Sequence, residues 1–220
     1  AIRAFAARPS SAGLGLQETR GSEAGRDRTG EIKARDRSAR HFGRRSLTSL
    51  IIPRDPKIRR WPTLGLAVAA WMEGNLCHGP GDLRGRRYRL SDEKKAILAR
   101  MYEVYPREHE FAGRRRFKRC ATSVRKGWAK TEKGAAIALA ELHPESPVRT
   151  VGWDKKGNPI GGPVTDPFIP LVAYTEEQSD ELAFRCAYVM VEEMKDLQRV
   201  FDLGLERIMR VNGDGKMVSL

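Results

Sequence analysis

The chain has 220 residues, of which 40% are hydrophobic and 31% charged, enough apolar material for one core of ordinary size. Its longest apolar stretch, residues 64–72, is far shorter than the ~20 residues of a membrane-spanning helix, so we predict no membrane partner. Forty-one lysines and arginines against 28 acids give a formal charge of +13. This excess favours a phosphate-bearing partner such as nucleic acid, although arginines that serve only solubility give the same composition.

The three cysteines, Cys77, Cys120 and Cys186, form no C-x-x-C pair, so neither a disulfide framework nor a zinc site is predicted. The four histidines also lack metal-ligand spacing, and we interpret the Cys77-His78 pair as structural. No apolar segment of a secretory signal follows Ala1, and the early acidic residues are not typical of a transit peptide. A reducing, intracellular setting is therefore expected.

Residues 1–52 mix Gly, Ser, Arg and acids without apolar periodicity, so we predict a disordered basic extension. Residues 53–220 are predicted to be ordered, and their first helix is capped by Thr63 and stops before the Gly-Pro-Gly at 79–81. Apolar residues recur along it at near-helical spacing: Leu64, Val68, Trp71 and Leu76.

A second helix is predicted from its cap at Ser91 to the break at Pro106. Its apolar face is expected to hold four residues: Ala96, Ile97, Met101 and Val104. The densest basic run, residues 114–119, follows, with Phe117 among its arginines and lysine. Two interpretations are open for this run, contact with DNA phosphates or a solubilising role at a sheet edge.

Residues 120–124 are predicted to form a buried strand, and Thr131–Leu142 is Ala-rich and predicts a helix. A hairpin turn is predicted at residues 155–158, and a second apolar strand at residues 168–174. The order of strand, helix, strand and helix predicts an α/β fold with a parallel sheet flanked by helices. With the turn at residues 125–131 described below, this sheet is predicted to be of the P-loop type.

Thr175 and Gln178 form a capping box for a helix running to about Val200, although their polar groups also suit the edge of a nucleotide site. Residues 189–193 read Val-Met-Val-Glu-Glu, which resembles an apolar strand ending in catalytic acids; we interpret them as part of that helix. Near the end of the chain, Asn-Gly-Asp-Gly at 212–215 predicts a hairpin turn.

A seven-residue turn, Arg125-Lys126-Gly127-Trp128-Ala129-Lys130-Thr131, joins the predicted strand to the Ala-rich helix. At such a junction, backbone N–H groups and the helix N-terminus bind phosphate oxygens. Lys130 matches the lysine that contacts the β- and γ-phosphates, and Thr131 the hydroxyl that ligates Mg²⁺. We therefore predict that residues 125–131 bind ATP and Mg²⁺.

The turn departs from the G-x-x-x-x-G-K-[ST] pattern, since Val124 and Ala129 replace its two glycines. Gly127 is then the one flexible residue of the loop. An ordinary strand-to-helix turn with a basic rim is the alternative interpretation.

Several short sequence segments, in the same order along the chain, resemble large terminase subunits of tailed phages of actinobacteria. The resemblance runs from about Pro53 to Leu220. Besides the loop, the blocks are Pro-Arg-Asp-Pro at 53–56, Trp-Pro-Thr-Leu-Gly at 61–65, Leu-Cys-His-Gly-Pro-Gly-Asp at 76–82, and Gly-Gly-Pro-Val-Thr-Asp-Pro-Phe-Ile-Pro at 161–170.

The resemblance implies an ATP-driven motor that packages double-stranded DNA into procapsids in the host cell cytoplasm. By the same resemblance, the partners are the small terminase subunit and the portal protein, and the full-length protein is a homo-oligomer. Arg125 matches an arginine that stabilises transition-state charge, so Arg125 and Lys130 are the candidate catalytic residues.

Family members often carry a glutamine that reads adenine ahead of the loop, and Lys94 occupies its place here. The resemblance also implies that the acidic strand and a nuclease domain lie beyond Leu220, so we expect slow ATP hydrolysis or none. Two alternatives stay open, a non-catalytic basic nucleic-acid-binding protein and another P-loop ATPase such as a helicase or a kinase.

Overall fold

The computed structural model describes residues 61–173 and 183–220, all within one unit, Ser49–Leu220. The predicted extension at residues 1–52, the block at 53–56 and the capping box of Thr175 and Gln178 lie outside the described residues. The helices in these ranges are α1 Gly65–Asn75, α2 Asp92–Met101, α3 Lys130–Leu142, α4 Arg185–Glu192 and α5 Lys195–Val200. The strands are β1 Arg149–Trp153, β2 Pro159–Gly162, β3 Phe168–Leu171, β4 Phe201–Leu203, β5 Arg207–Arg210 and β6 Lys216–Ser219.

Helices α1 and α2 pack closely against each other. The Thr63 hydroxyl accepts a hydrogen bond from the Gly65 N–H at 3.0 Å. The N-cap residue of α1 is nevertheless Leu64, which makes no side-chain cap hydrogen bond, so the predicted cap at Thr63 is wrong by one residue. A side chain on Gly65 would place its Cβ 2.2 Å from the backbone oxygen of Leu98 in α2. Only glycine therefore permits this close approach of the two helices.

Helix α2 confirms the predicted cap, because the Ser91 hydroxyl accepts a hydrogen bond from the Lys94 N–H at 3.4 Å. Its buried face differs from the prediction. Leu98 is fully buried, whereas Ala96 and Ile97 are only partly buried.

Helix α3 is the most deeply buried helix of the described chain and confirms the Ala-rich prediction. It contacts α1, α4, β3 and β6. Alanine side chains let these neighbours approach closely, and two leucines fill the spaces that remain. The buried apolar residues of α3 are Ala135, Ala136, Ala138, Leu139, Ala140 and Leu142.

Strands β1 and β2 form an antiparallel hairpin whose turn lies where it was predicted. The Asp154 carboxylate accepts hydrogen bonds from the N–H groups of Lys156 and Asn158, each at 2.8 Å. The Asn158 side-chain amide donates to the same carboxylate, and these bonds hold the pKa of Asp154 below its ordinary value. Gly157 completes the turn with φ at +77°.

The second sheet has the strand order β3-β6-β5-β4. β3 pairs with β6 in parallel, and the other two pairs are antiparallel. The turn between β5 and β6 confirms the prediction for residues 212–215, and the inner face of the sheet joins the helices through Phe201, Ile208 and Met217. The fold is thus mixed helix and strand, and its sheets are small and antiparallel or mixed.

Residues 120–124 were predicted to form a buried strand, and this prediction is wrong. They pair with no strand, and only Val124 among them is partly shielded from solvent. The segment is rich in small and polar side chains, which bury little apolar area, and a lone strand gains no ladder hydrogen bonds. Within the described ranges the predicted phosphate loop therefore follows an irregular, exposed segment.

Residues 189–192 belong to α4, and Glu193 is its C-cap, which confirms that this segment is not an acidic strand. The long predicted helix is nevertheless interrupted, because Met194 has extended backbone angles and α5 begins at Lys195. Glu192 and Glu193 both form ion pairs with Arg84, at 2.9 and 2.6 Å. None of the described helices has both the length and the apolar composition needed to cross a bilayer.

Arg210, with only 4% of its surface exposed, links three parts of the fold. Its guanidinium donates to the backbone oxygens of Leu142 and Val164 and to the Asp214 carboxylate.

Arg210→Met should lower the free energy of unfolding by about 2–4 kcal/mol, because it leaves buried acceptors without donors. Urea denaturation measures the loss. Arg207→Met, at an exposed position of the same strand, should change stability by less than about 0.5 kcal/mol; equal losses in the two variants would contradict this role.

Candidate functional site

The predicted phosphate loop has an unusual backbone. Gly127 has φ at +82°, and Ala129 has φ at 59° and ψ at 42°, the left-handed conformation that costs an L-residue about 1–2 kcal/mol. Ala129 stands where the P-loop pattern has its second glycine, immediately before Lys130. The chain thus adopts at this position a conformation that favours glycine, although its sequence has alanine there.

The loop leads directly into the exposed N-terminus of α3. The first described hydrogen bond of the helix runs from the Lys133 N–H to the Ala129 oxygen at 3.0 Å. Ala129 is the N-cap residue and its methyl group supplies no acceptor. The amides of residues 130–132 are therefore left as donors at the positive end of the helix dipole, which favours an anion.

The predicted ligands Lys130 and Thr131 occupy the first turn of α3. Lys130 is exposed, and Thr131 is partly buried. Arg125 and Lys126 are exposed at the start of the loop, and no contact ties either side chain to another described residue. The structure thus brings residues 126–129 into one turn ahead of the helix and places Lys130 and Thr131 in its first turn, while the position of the Arg125 guanidinium relative to Lys130 is not fixed by any contact.

Glu132 anchors this turn to the segment that follows α1. Its carboxylate lies 2.9 Å from His78 Nδ1 and accepts a hydrogen bond from the Gly79 N–H at 3.1 Å. The only carboxylate in the first turn of α3 is therefore directed at the 78–79 segment. The neighbouring Cys77 is fully buried, as its interpretation as a structural residue implies, and burial raises its pKa to about 11.

Trp128 packs with residues from α2, where the resemblance places base recognition. Lys94 Nζ is 5.3 Å and Lys133 Nζ is 5.1 Å from the centroid of its ring. The Trp128 indole N–H donates to Glu93 Oε2 at 3.4 Å. Lys94 thus lies beside the loop, and the cluster adds Lys133, which the sequence analysis did not single out. Its spacing of three residues from Lys130, one helical turn, was the available signal.

Lys133 is 3% exposed, and no described carboxylate forms an ion pair with it. Burial lowers its pKa, and the nearby charge of Lys94 acts in the same direction. An ammonium group shielded from water without a carboxylate partner is costly. Lys133 is therefore a second cation directed into the region of the loop.

Two members of the basic run at residues 114–119 serve the fold itself. Arg116 Nη1 pairs with Glu103, which is 4% exposed, at 2.7 Å. Arg115 Nη2 pairs with Glu141 at 2.6 Å. Arg115 and Arg116 thus stabilise the fold, whereas Arg114, Lys118 and Arg119 are exposed. Contact of the run with DNA phosphates stays a prediction.

In the described part of the chain, no three His, Cys, Asp or Glu side chains come together to hold a metal ion. Comparison with protein-family models, with curated proteins and with solved structures found no match. The geometry of the loop and the order of the sequence blocks are therefore the grounds on which a function is inferred.

Ala129→Gly should raise the free energy of unfolding by roughly 0.5–1 kcal/mol, because glycine adopts the left-handed conformation without a Cβ penalty. Ala129→Val should lower it, since a β-branched residue is more strained there. Urea denaturation of the three proteins measures the order. A lower stability of the glycine variant would show that residue 129 is not left-handed in solution.

Lys133→Met should raise the free energy of unfolding at pH 7 by about 1 kcal/mol, because it removes a buried charge. In the parent chain, the folded form releases the Lys133 proton below the ordinary pKa of 10.5. Stability should therefore rise as the pH increases from the lowered pKa towards 10.5, and Lys133→Met should remove this rise.

Denaturation at several pH values tests this, with Lys130→Met at the exposed neighbouring position as the matched control. Lys130→Met should leave the rise in place. Equal pH profiles for the Lys133→Met variant and the parent chain would refute the role assigned to burial.

Proposed function

We propose that residues 125–131 bind the triphosphate of ATP, and that the chain is the N-terminal portion of a terminase-like ATPase. The observation that carries the proposal is the left-handed Ala129 immediately before Lys130 at the open end of α3. A left-handed residue at this point turns successive amides towards one side, which is how phosphate loops hold anions.

Each predicted ligand has a role in this arrangement. The amides of residues 130–132 donate to phosphate oxygens, and Lys130 supplies an ammonium group to the β- and γ-phosphates. The Thr131 hydroxyl would hold Mg²⁺, and few protein ligands would be needed because Mg²⁺ at such sites is bound largely by substrate phosphates and water. Arg125 is the donor for transition-state charge.

One of the resembling blocks lies at the proposed site, which supports the assignment. The block at residues 76–82 supplies His78 and Gly79, both of which contact Glu132 one residue after Thr131. The proposal includes a P-loop-type parallel sheet; among the described strands, β3 and β6 pair in parallel and the other pairs are antiparallel.

The wider activity that we propose is ATP-driven packaging of double-stranded DNA into procapsids, with the small terminase subunit and the portal protein as partners. It rests on the order of the sequence blocks, and the charge of +13 suits a DNA partner. Glu192 and Glu193 resemble, in sequence, the acids at the end of a catalytic strand. In the structure they lie at the end of a helix and pair with Arg84. We therefore propose nucleotide binding with slow ATP hydrolysis or none for this chain.

Isothermal titration with MgATP tests nucleotide binding, with Lys130→Ala as the critical variant. The loss of the ammonium group should weaken binding at least tenfold, or about 1.4 kcal/mol. Lys195→Ala removes an exposed lysine of α5 and should leave the affinity unchanged. Absence of binding by the folded parent chain, or equal effects of the two variants, would refute the proposal.

The same variants separate the alternatives. If the chain is a non-catalytic nucleic-acid-binding protein, Lys130→Ala should leave duplex DNA affinity intact and the parent chain should not bind MgATP. Another P-loop ATPase, such as a helicase, would bind MgATP through Lys130 in the same way. Stimulation of hydrolysis by procapsids, rather than by single-stranded nucleic acid, then distinguishes the terminase assignment.

A further inference from the structure

An open cleft of about 660 Å³ lies between the loop that follows Val104 and the β1–β2 hairpin. It shares no residue with the turn at 125–131. Its volume is in the range of small-molecule sites, roughly 300–1,000 Å³. The cleft is therefore large enough to hold a separate ligand.

The charges that line the cleft are Arg114, Arg115, Arg149 and Glu141, an excess of two positive charges. Glu141 is already engaged, because its Oε1 accepts from Arg115 Nη2 and from the Tyr102 hydroxyl, each at 2.6 Å. Arg114 and Arg149 are exposed and form no ion pair with a described carboxylate. Two guanidinium groups in the cleft thus lack an anionic partner among the described residues.

Arg115 is held in a fixed position in the wall of the cleft. Its Nη2 also donates to the Val148 oxygen at 2.9 Å, and its guanidinium carbon lies 4.5 Å from the centroid of the Tyr102 ring. These contacts fix the Arg115 guanidinium in the wall of a cleft that Arg114 and Arg149 also line. A preorganised cation loses little conformational entropy when a ligand binds.

We propose that this cleft binds the terminal phosphate of a 5′-nucleotide, free or at the end of a nucleic-acid strand. A phosphate monoester carries a charge of nearly −2 at neutral pH, which matches the excess charge of the lining, whereas a single carboxylate does not. The planar fork of arginine donates two parallel hydrogen bonds to phosphate oxygens. The Arg114 and Arg149 guanidinium groups are the phosphate donors.

Trp153 lines the cleft on the same strand as Arg149 and provides the surface for the base. Aromatic side chains stack on any base, so this contact selects a nucleotide over inorganic phosphate without reading its sequence. The inference does not depend on the proposed ATPase function, because the two sites have no residue in common.

Calorimetric titration with AMP, without Mg²⁺ and in the Lys130→Ala chain, isolates this cleft from the loop. AMP should bind at least tenfold more tightly than adenosine, and Arg149→Gln should weaken AMP at least tenfold. The matched control is Lys155→Gln with Lys156→Gln, two exposed lysines of the same hairpin that do not line the cleft; it should leave the affinity unchanged. Arg149→Lys, which keeps the charge and loses the planar fork, should give an intermediate affinity.

Trp153→Leu should weaken AMP but leave the affinity for inorganic phosphate unchanged. A 5′-phosphorylated oligonucleotide that binds more tightly than its 5′-hydroxyl counterpart identifies a strand end as the source of the phosphate, and equal weak binding of both oligonucleotides identifies the free nucleotide. If AMP binds, either result supports the proposal that the cleft binds a terminal phosphate.

Three results would overturn the proposal. They are no heat with AMP in a chain that unfolds cooperatively, equal affinities for adenosine and AMP, and an Arg149→Gln variant that binds AMP like the parent. Because Arg149 is exposed, its variants should unfold at the same urea concentration as the parent, and this measurement excludes misfolding as the cause of lost binding.

Discussion

The structure depends on the burial of α3. Its alanines and leucines contact α1, α4 and two strands, so the middle and C-terminal part of the helix cannot shift without opening the core. The N-terminus of α3 emerges at the surface, where Lys130 is exposed. A rigid helix with one open end holds its free amides at a fixed position, and a preorganised anion site requires this.

The distribution of charge follows from the same packing. Some arginines hold the fold together: Arg115 and Arg116 pair with Glu141 and Glu103, and Arg210 joins α3 to the second sheet. These residues account for part of the basic composition without any external partner. The loop and the cleft both hold cations that have no described carboxylate partner, and these are the two places where we propose phosphate groups.

The sequence predicted those features that depend on local interactions. Ser91 caps α2, the Ala-rich segment forms α3, and the turns at residues 155–158 and 212–215 lie where their Gly and Asn residues indicate. Local hydrogen bonds and backbone preferences determine such features, so a short window of sequence contains the necessary information.

Three features depend on contacts between residues far apart in the sequence, and for these the sequence-based prediction was wrong or lacking. A strand at residues 120–124 requires a neighbouring strand, and the pattern of five residues cannot show whether one is present. The interruption at Met194 and the burial of Lys133 depend on packing against other elements. For the site, the sequence indicated the loop and its first helical turn, whereas the cluster of Trp128 with Lys133 became visible only in three dimensions.

The central claim is that the amides at the start of α3 receive a triphosphate. Amide chemical shifts in ¹⁵N-labelled protein, recorded during titration with ATP and Mg²⁺, test it residue by residue. The account predicts that the largest amide shift changes fall on residues 127–132. These changes should reach their plateau at the same ATP concentration as the shift changes of the Lys130 side chain. Shifts confined to the Arg114 and Arg149 cleft, with the α3 amides unmoved, would contradict it.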